Sequence, residues 1–227
     1  GRGHAADFLA MLGLNHEPRA ARALERYLIT IADHGMNAST FTARVVASTQ
    51  AGEISSVVAA LCALKGPLHG GAPGPVMDML DEIASEANIM PWIHAALADG
   101  SRLMGFGHRV YRTRDPRADV LKEIVRDLKN SSDRIAFAEA VENGVLETLE
   151  ARYPDRRLDT NVEFYTALVL DGIGLPRELF TPAFAMGRVI GWCAHIEEQV
   201  ASGRLIRPAS SYVGDLPEGA AALQMAG

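Results

Sequence analysis

Apolar residues recur along this chain with the spacing of helices, and no segment shows the strict alternation of a half-buried strand. The chain is thereby restricted to an all-α, multi-helical fold. The spacing predicts helices over residues 20–32, 41–49, 54–64, 76–87 and 91–97. Further helices are expected from Asp115-Pro116 onward and over 135–152, 162–170 and 180–200. Asn37, Asp115 and Asn161 are placed to cap three of them, and Pro116 suits a first helical position. Residues 54–64 are nearly all apolar or small, which reads as a buried helix. Lys65-Gly66-Pro67, Gly70 to Pro75 and Gly172 to Pro176 are breaks, and residues 204–217 read as irregular. With no repeat, low-complexity run or flexible linker, any division into domains must come from packing.

Charge narrows the partners. The 227 residues carry a formal net charge of -6, which argues against a nucleic-acid binder. No apolar run reaches the roughly 20 residues that span a bilayer. A cytoplasmic protein is expected, since no secretory signal pattern is evident. Cys62 and Cys193 lie in apolar helical patterns and are expected to be buried free thiols. The seven histidines include no His-x-x-x-His pair, so a structural metal site is not expected.

Against this acidic background Arg102, Arg109, Arg112, Arg114 and Arg117 crowd one segment around His108, with Asp115 the only acid among them. Arginine grips carboxylates and phosphates by paired hydrogen bonds. Gly105 and Gly107 let backbone come close to a ligand. A small polyanion is the expected partner. Three further clusters carry reactive side chains: Asp33-His34-Gly35-Met36-Asn37, Gly66-Pro67-Leu68-His69-Gly70-Gly71, and Asn161-Val162-Glu163-Phe164. Taken singly, a loop histidine is a packing residue and a first-turn glutamate serves the helix dipole. Arg188 is harder to dismiss, because a charge inside Phe184 to Trp192 is costly unless paired. Together these residues supply a base, donors for an oxyanion and clamps for carboxylates.

The chain resembles citrate synthase, in the bacterial and archaeal branch that includes 2-methylcitrate synthases. The matching strings are Asp33-His34 with Asn37-Ala38-Ser39-Thr40-Phe41, Ala43 to Thr49, Ala63 to Ala72, and Met104 to Arg117. Asn161 to Tyr165, Leu179 to Pro182, Ile206-Arg207-Pro208 and Tyr212-Val213-Gly214 follow in family order. The resemblance implies an acyltransferase with a two-domain helical fold, residues 1–70 and 175–227 in a large domain and 71–174 in a small one. It implies a homodimer that condenses acetyl-CoA with oxaloacetate, with the coenzyme A thioester as substrate and no cofactor. It implies Glu163 as the base that removes the acyl proton, His69 as the enolate stabiliser and His108 as the group polarising the ketone. His34, Arg117 and Arg188 match oxaloacetate ligands, and Arg207 matches an arginine that crosses to the neighbouring subunit's site. Arg112, Lys65, Gly66, Phe106 and Gly107 match positions at the coenzyme A site. Two alternatives stand beside this: a 2-methylcitrate synthase using propionyl-CoA, and a non-catalytic relative that binds coenzyme A or a dicarboxylate.

Three departures from the family pattern bear on these expectations. The family's base is most often Asp, and Glu163 extends the carboxylate by about 1.5 Å, one carbon–carbon bond. Pro73 stands where relatives often carry Asn. A long N-terminal helical region precedes the segment matching Ala5 in family members, and the chain is expected to be a piece of a longer enzyme.

Overall fold

The computed structural model describes residues 1–14, 17–66, 69–70, 73–107, 115–128, 132–156, 158–211 and 213–215. His108 and Arg112 of the expected site lie outside them. Among the described residues the chain forms ten α-helices. They are α1 (His4–Met11), α2 (Pro18–Thr30), α3 (Ala38–Ser48), α4 (Glu53–Leu64) and α5 (Pro73–Ile83). Then come α6 (Ile89–Ala98), α7 (Pro116–Asp127), α8 (Ser132–Arg152), α9 (Val162–Gly172) and α10 (Phe180–Ser202). No strand forms among these residues; one isolated antiparallel bridge joins Phe106 to Thr160.

Local chemistry sets several boundaries. The Asn37 side chain accepts the Thr40 N–H, Asp115 accepts that of Arg117 and Asn161 accepts that of Glu163, each satisfying a donor that the first helical turn leaves open. Pro73 opens α5 three residues before the expected start, because proline at a first turn removes no helical hydrogen bond. The helix stops at Ile83, with Ala84 at φ 58°.

The main core surrounds α9, whose Phe164 to Leu170 are all buried. It takes in Leu24 and Tyr27 from α2, Met77 and Leu80 from α5, and Leu121 and Ile124 from α7. A second cluster joins Ala43 and Ala47 of α3, Ala60 and Leu64 of α4, and Trp192 and Ile196 of α10. The small residues let α3, α4 and α10 approach closely.

Two expectations about burial are corrected. In α4 only Ser56, Ala60 and Leu64 are buried, while Ile54, Val58 and Leu61 are exposed. Its apolar character serves two faces, of which α3 and α10 cover one. Cys62 lies on the uncovered side and is exposed, and Cys193 is partly buried; both are free thiols. No helix among the described residues is long and apolar enough to cross a membrane.

Candidate active site

Four segments bring the reactive residues together. His69 sits on a turn that follows α4, where its N–H donates to the Gly66 carbonyl and the Gly70 N–H returns to that of Leu64. The turn places the His69 ring on the N-terminus of α3. The backbone N–H of Ser39 donates to Nε2 of His69 at 3.2 Å, and the Ser39 hydroxyl lies 2.9 Å from the same nitrogen. A backbone N–H can only donate, so Nε2 is an acceptor and the proton of the neutral ring is on Nδ1. Burial, with the Arg188 charge added, holds the His69 pKa below the usual histidine value. The ring is therefore a neutral donor at neutral pH.

Arg117, in the first turn of α7, is clamped by the residue that caps the helix. Its Nε donates to Oδ1 of Asp115 at 3.0 Å and its Nη2 to Oδ2 at 2.8 Å. Nη2 also donates to Nε2 of His34 at 3.3 Å, joining the turn before α3 to α7. Asp115 is only 1% exposed, so this paired geometry is rigid as well as charged.

Arg188 lies within α10 and is 2% exposed. Its Nε donates to the Ile31 carbonyl at 2.7 Å, and its guanidinium stacks 4.8 Å from the Phe184 ring centre. Nη2 is buried with no partner among the described residues. Burial, then the charge of Arg117, lowers its pKa to about 10, which leaves it cationic at neutral pH. The helix can approach so closely because position 191 has no side chain: a Cβ there would stand 2.2 Å from the Ala32 carbonyl oxygen.

Glu163 stands in the first turn of α9, half-buried. Burial pushes its pKa up to about 7, against the charges of Arg102 and Arg117, which lower it, and with that of Asp115, which raises it. The segment leading towards His108 is strapped beside it. Gly107 N–H donates to the Asp159 carbonyl at 2.8 Å, Asn161 N–H to that of Gly105 at 2.9 Å, and the Asn161 side chain to that of Gly107 at 3.0 Å. Phe106 packs on Phe164 with ring centres 5.2 Å apart.

His34 and Arg117 are thus in direct contact, and Arg117 acts electrostatically on both Glu163 and Arg188, as Arg188 does on His69. These residues form one cationic neighbourhood holding one carboxylate near neutrality and one neutral imidazole. Such a set can take a proton, stabilise an oxyanion and bind a dianion. Phe106 and Gly107 border it through the strap. Lys65 is exposed beside Gly66. Arg207 is exposed on the tail, next to Ile206, whose N–H donates to the Ser48 hydroxyl at 3.0 Å. The residues that hold the site in place are less visible in the sequence. Ser39 stands in a capping string, and its bond to His69 spans 30 positions; Trp192 stands in an apolar run.

A family model described as citrate synthase, C-terminal domain, matches residues 1–209. The chain is 44% identical to citrate synthase 2 of Bacillus subtilis over 213 residues, which are 93% of this chain and 56% of that protein. It spans about half the length of the curated relatives it matches. Its structure is similar to that of a Thermoplasma acidophilum citrate synthase in ternary complex with carboxymethyl coenzyme A and oxaloacetate. The TM-score is 0.86 at 34% identity, covering 96% of this chain and 58% of that one. It is also similar to citryl-CoA lyase from Hydrogenobacter thermophilus, with a TM-score of 0.76 at 27% identity, covering 95% of this chain and 87% of that one.

Proposed function

Because this chain belongs to the citrate synthase family, we propose that it carries the reacting groups of an acyltransferase that condenses acetyl-CoA with oxaloacetate. Glu163 takes a proton from the acetyl carbon. A thioester α-proton is weakly acidic, so its removal needs charge stabilisation on the thioester oxygen at the same moment. The Nδ1–H of His69 supplies it. The enolate carbon attacks the ketone carbon of oxaloacetate, whose oxygen receives a proton from His108. The resulting citryl-CoA is hydrolysed to citrate and coenzyme A, which makes the sequence favourable. His34, Arg117 and Arg188 hold the two carboxylates of oxaloacetate. Arg112, Lys65, Gly66, Phe106 and Gly107 lie along the coenzyme A, and no further cofactor takes part.

The observation that carries this reading is Arg188, a buried guanidinium whose Nη2 meets no acceptor among the described residues. A buried donor of a charged group without an acceptor is costly, and a carboxylate of a dianionic ligand would supply one. The pKa of Glu163, raised to about 7, supports its role, since a general base works best when its pKa matches the operating pH.

The enzyme works as a cytoplasmic homodimer in which Arg207 reaches the neighbouring site. Exposed Phe41, Ile54, Val58, Leu61 and Ile190, on the mutually packed α3, α4 and α10, support such an interface. Residues 71–174 form the smaller domain, closing on the body made by 1–70 and 175–227 to exclude water from the enolate.

A second reading comes from the similarity to the citryl-CoA lyase, 27% identical with a TM-score of 0.76 over 95% of this chain: the same residues would run the carbon–carbon step in reverse, cleaving citryl-CoA to acetyl-CoA and oxaloacetate without hydrolysis. A thiol assay on the full-length protein separates the two. Free coenzyme A released from acetyl-CoA plus oxaloacetate marks the synthase. Oxaloacetate formed from citryl-CoA, with no thiol released from acetyl-CoA plus oxaloacetate, marks the lyase. A parallel assay with propionyl-CoA reads the acyl preference.

A further inference from the structure

Arg19, Arg22 and Arg26 recur along one face of α2 at the spacing that stacks side chains on a helix. Helix α7 runs antiparallel beside them. Arg26 pairs with Asp127 at 2.9 Å and with Glu123 at 3.6 Å, while His34, beyond the end of α2, meets Arg117 in the first turn of α7. The ends of the two helices far from His34 border a cavity of about 460 Å³, within the size range of small-molecule sites. Ala23, Ile124 and Leu128 line it and are buried, which gives it an apolar floor. Its other lining residues are Arg19, Arg22, Arg26 and Arg126 against one acid, Asp127. Cations that converge in this way repel one another unless anions are supplied. The chain supplies carboxylates to two of them, since Arg126 pairs with Glu139 at 2.6 Å as Arg26 does with Asp127. The guanidiniums of Arg19 and Arg22 are exposed and have no partner among the described residues. Arg19 also stands in the first turn of α2, where the helix dipole disfavours a cation, so it does nothing for the helix.

We propose that this cavity is a second anion site, which binds a small molecule through a diphosphate group. Arg19 and Arg22 are neighbours on the helix face, with Cβ atoms about 5–6 Å apart, so each guanidinium can grip one of two linked phosphates by paired hydrogen bonds. Arg126 approaches from the other helix. A tetrahedral phosphate offers oxygens to both helices, whereas a planar carboxylate offers two in a single plane. The apolar floor takes the uncharged remainder of the ligand. The cavity is separate from the site around Glu163: the stretch of α7 from Arg117 to Arg126 spans about 14 Å at the helical rise.

Inorganic pyrophosphate titrated calorimetrically into the full-length protein is expected to fill one site per chain, more weakly as salt is raised. Arg19→Glu/Arg22→Glu is expected to weaken that binding at least about 10-fold, the scale of losing charge-assisted hydrogen bonds. The charge-matched Arg152→Glu/Arg204→Glu, at positions that do not line the cavity, is expected to keep it. Both pairs of arginines are exposed, so both variants should fold, and Arg19→Gln/Arg22→Gln replaces the charge reversal if that one does not. Malonate is expected to give no heat that depends on Arg19 and Arg22. Absence of pyrophosphate binding, an affinity unchanged in Arg19→Glu/Arg22→Glu, equal losses in the two double variants, or malonate bound as tightly through the same arginines would overturn the proposal. The readout is binding and needs no turnover, so a protein inactive towards acyl-CoA and oxaloacetate removes the functional reading without deciding this one.

Discussion

Arg188 gives its Nε–H to the carbonyl of Ile31 at 2.7 Å, so the helix that carries the guanidinium is tied to the backbone three residues before His34. The bond fixes the direction of a cation whose Nη2 has no partner among the described residues. Arg188→Met is expected to raise the KM for oxaloacetate by about 100-fold, the scale of losing a charge-assisted hydrogen bond in a buried site. The KM for the acyl-CoA is expected to stay within a few-fold. Removing Arg188 relieves a desolvated charge but strands the Ile31 carbonyl that it satisfies, so the melting temperature without ligand is expected to change little. Oxaloacetate should raise the melting temperature of the wild type alone. Initial rates and thermal melts on the full-length protein read both.

As the proposed base, Glu163 is expected to set the acid limb of activity. Its pKa is raised to about 7, and a base acts only when deprotonated. The rate with respect to the free enzyme, kcat/KM, is expected to rise through pH 7 and level off above it. Glu163→Gln is expected to lower kcat by about 100-fold or more. Stability moves the other way. A carboxyl whose folded pKa lies above its unfolded value contributes stability below the unfolded value and loses it as pH rises through the folded one. Glu163→Gln is therefore expected to melt higher than the wild type at pH 8 and about equally at pH 4. The gain is on the order of 1–3 kcal/mol, discounted from the full shift because the group is half-buried. A kcat/KM flat from pH 5 to 8 would remove the base assignment.

The parts of this fold that are legible in the sequence are those set by near neighbours. Asn37, Asp115 and Asn161 each cap the helix that follows, because a cap needs only the next two or three residues. Glu163 and Arg188 stand out because each is a lone charge in an apolar run. What distance decides is less legible. Helix α1 leaves no periodic signal because it buries only Ala5 and Leu9, too few to print a period. The outward face of α4 has the composition of core, since periodicity records which residues are apolar and not what covers them. Asp115 reads as a cap, and its second task of clamping Arg117 follows only from the path of the arginine side chain. Trp192 meets Ser39 across 153 positions, a contact no local pattern encodes.

Glu142 makes the protein sensitive to acid. This carboxylate is 1% exposed and accepts from the Thr160 hydroxyl and the Tyr165 hydroxyl, each at 2.6 Å, and from Lys122 at 3.0 Å. Burial opposes its charge, but these donors, with the Lys122 charge, outweigh that and hold its pKa below the usual glutamate value. A group with a depressed folded pKa contributes stability above its unfolded value and loses it as pH falls through the folded one. The wild type is therefore expected to lose melting temperature from about pH 4.3 downward. Glu142→Gln is expected to cost about 1.5–3 kcal/mol at pH 7 and to show a shallower acid slope. Thermal melts between pH 3 and 7 check this; parallel slopes in the two proteins would count against it.

Gly105 is the point where the strap beside Glu163 tolerates no side chain. Its φ is 87°, a conformation that L residues rarely adopt, and a Cβ there would stand 2.8 Å from the Cβ of Phe164. Phe164 follows Glu163 directly and is fully buried, with Phe106 on its ring, so it has no room to retreat. Gly105→Ala must therefore shift either the strap or the start of α9. A strap shift loosens the Asn161 N–H to Gly105 bond, which sits two residues before Glu163, the proposed base. The expected outcome is a stability loss of about 1–3 kcal/mol, the scale of backbone strain at a fixed left-handed position. The kcat is expected to fall about 10-fold or more, since small displacements of a reacting group cost rate steeply. The control is Gly100→Ala. The φ of Gly100 is 73°, but a Cβ there meets nothing within 4 Å, so this variant should lose stability through strain and keep its kcat. Equal kcat losses in the two variants would show that strain alone, and not the approach to Phe164, governs the site.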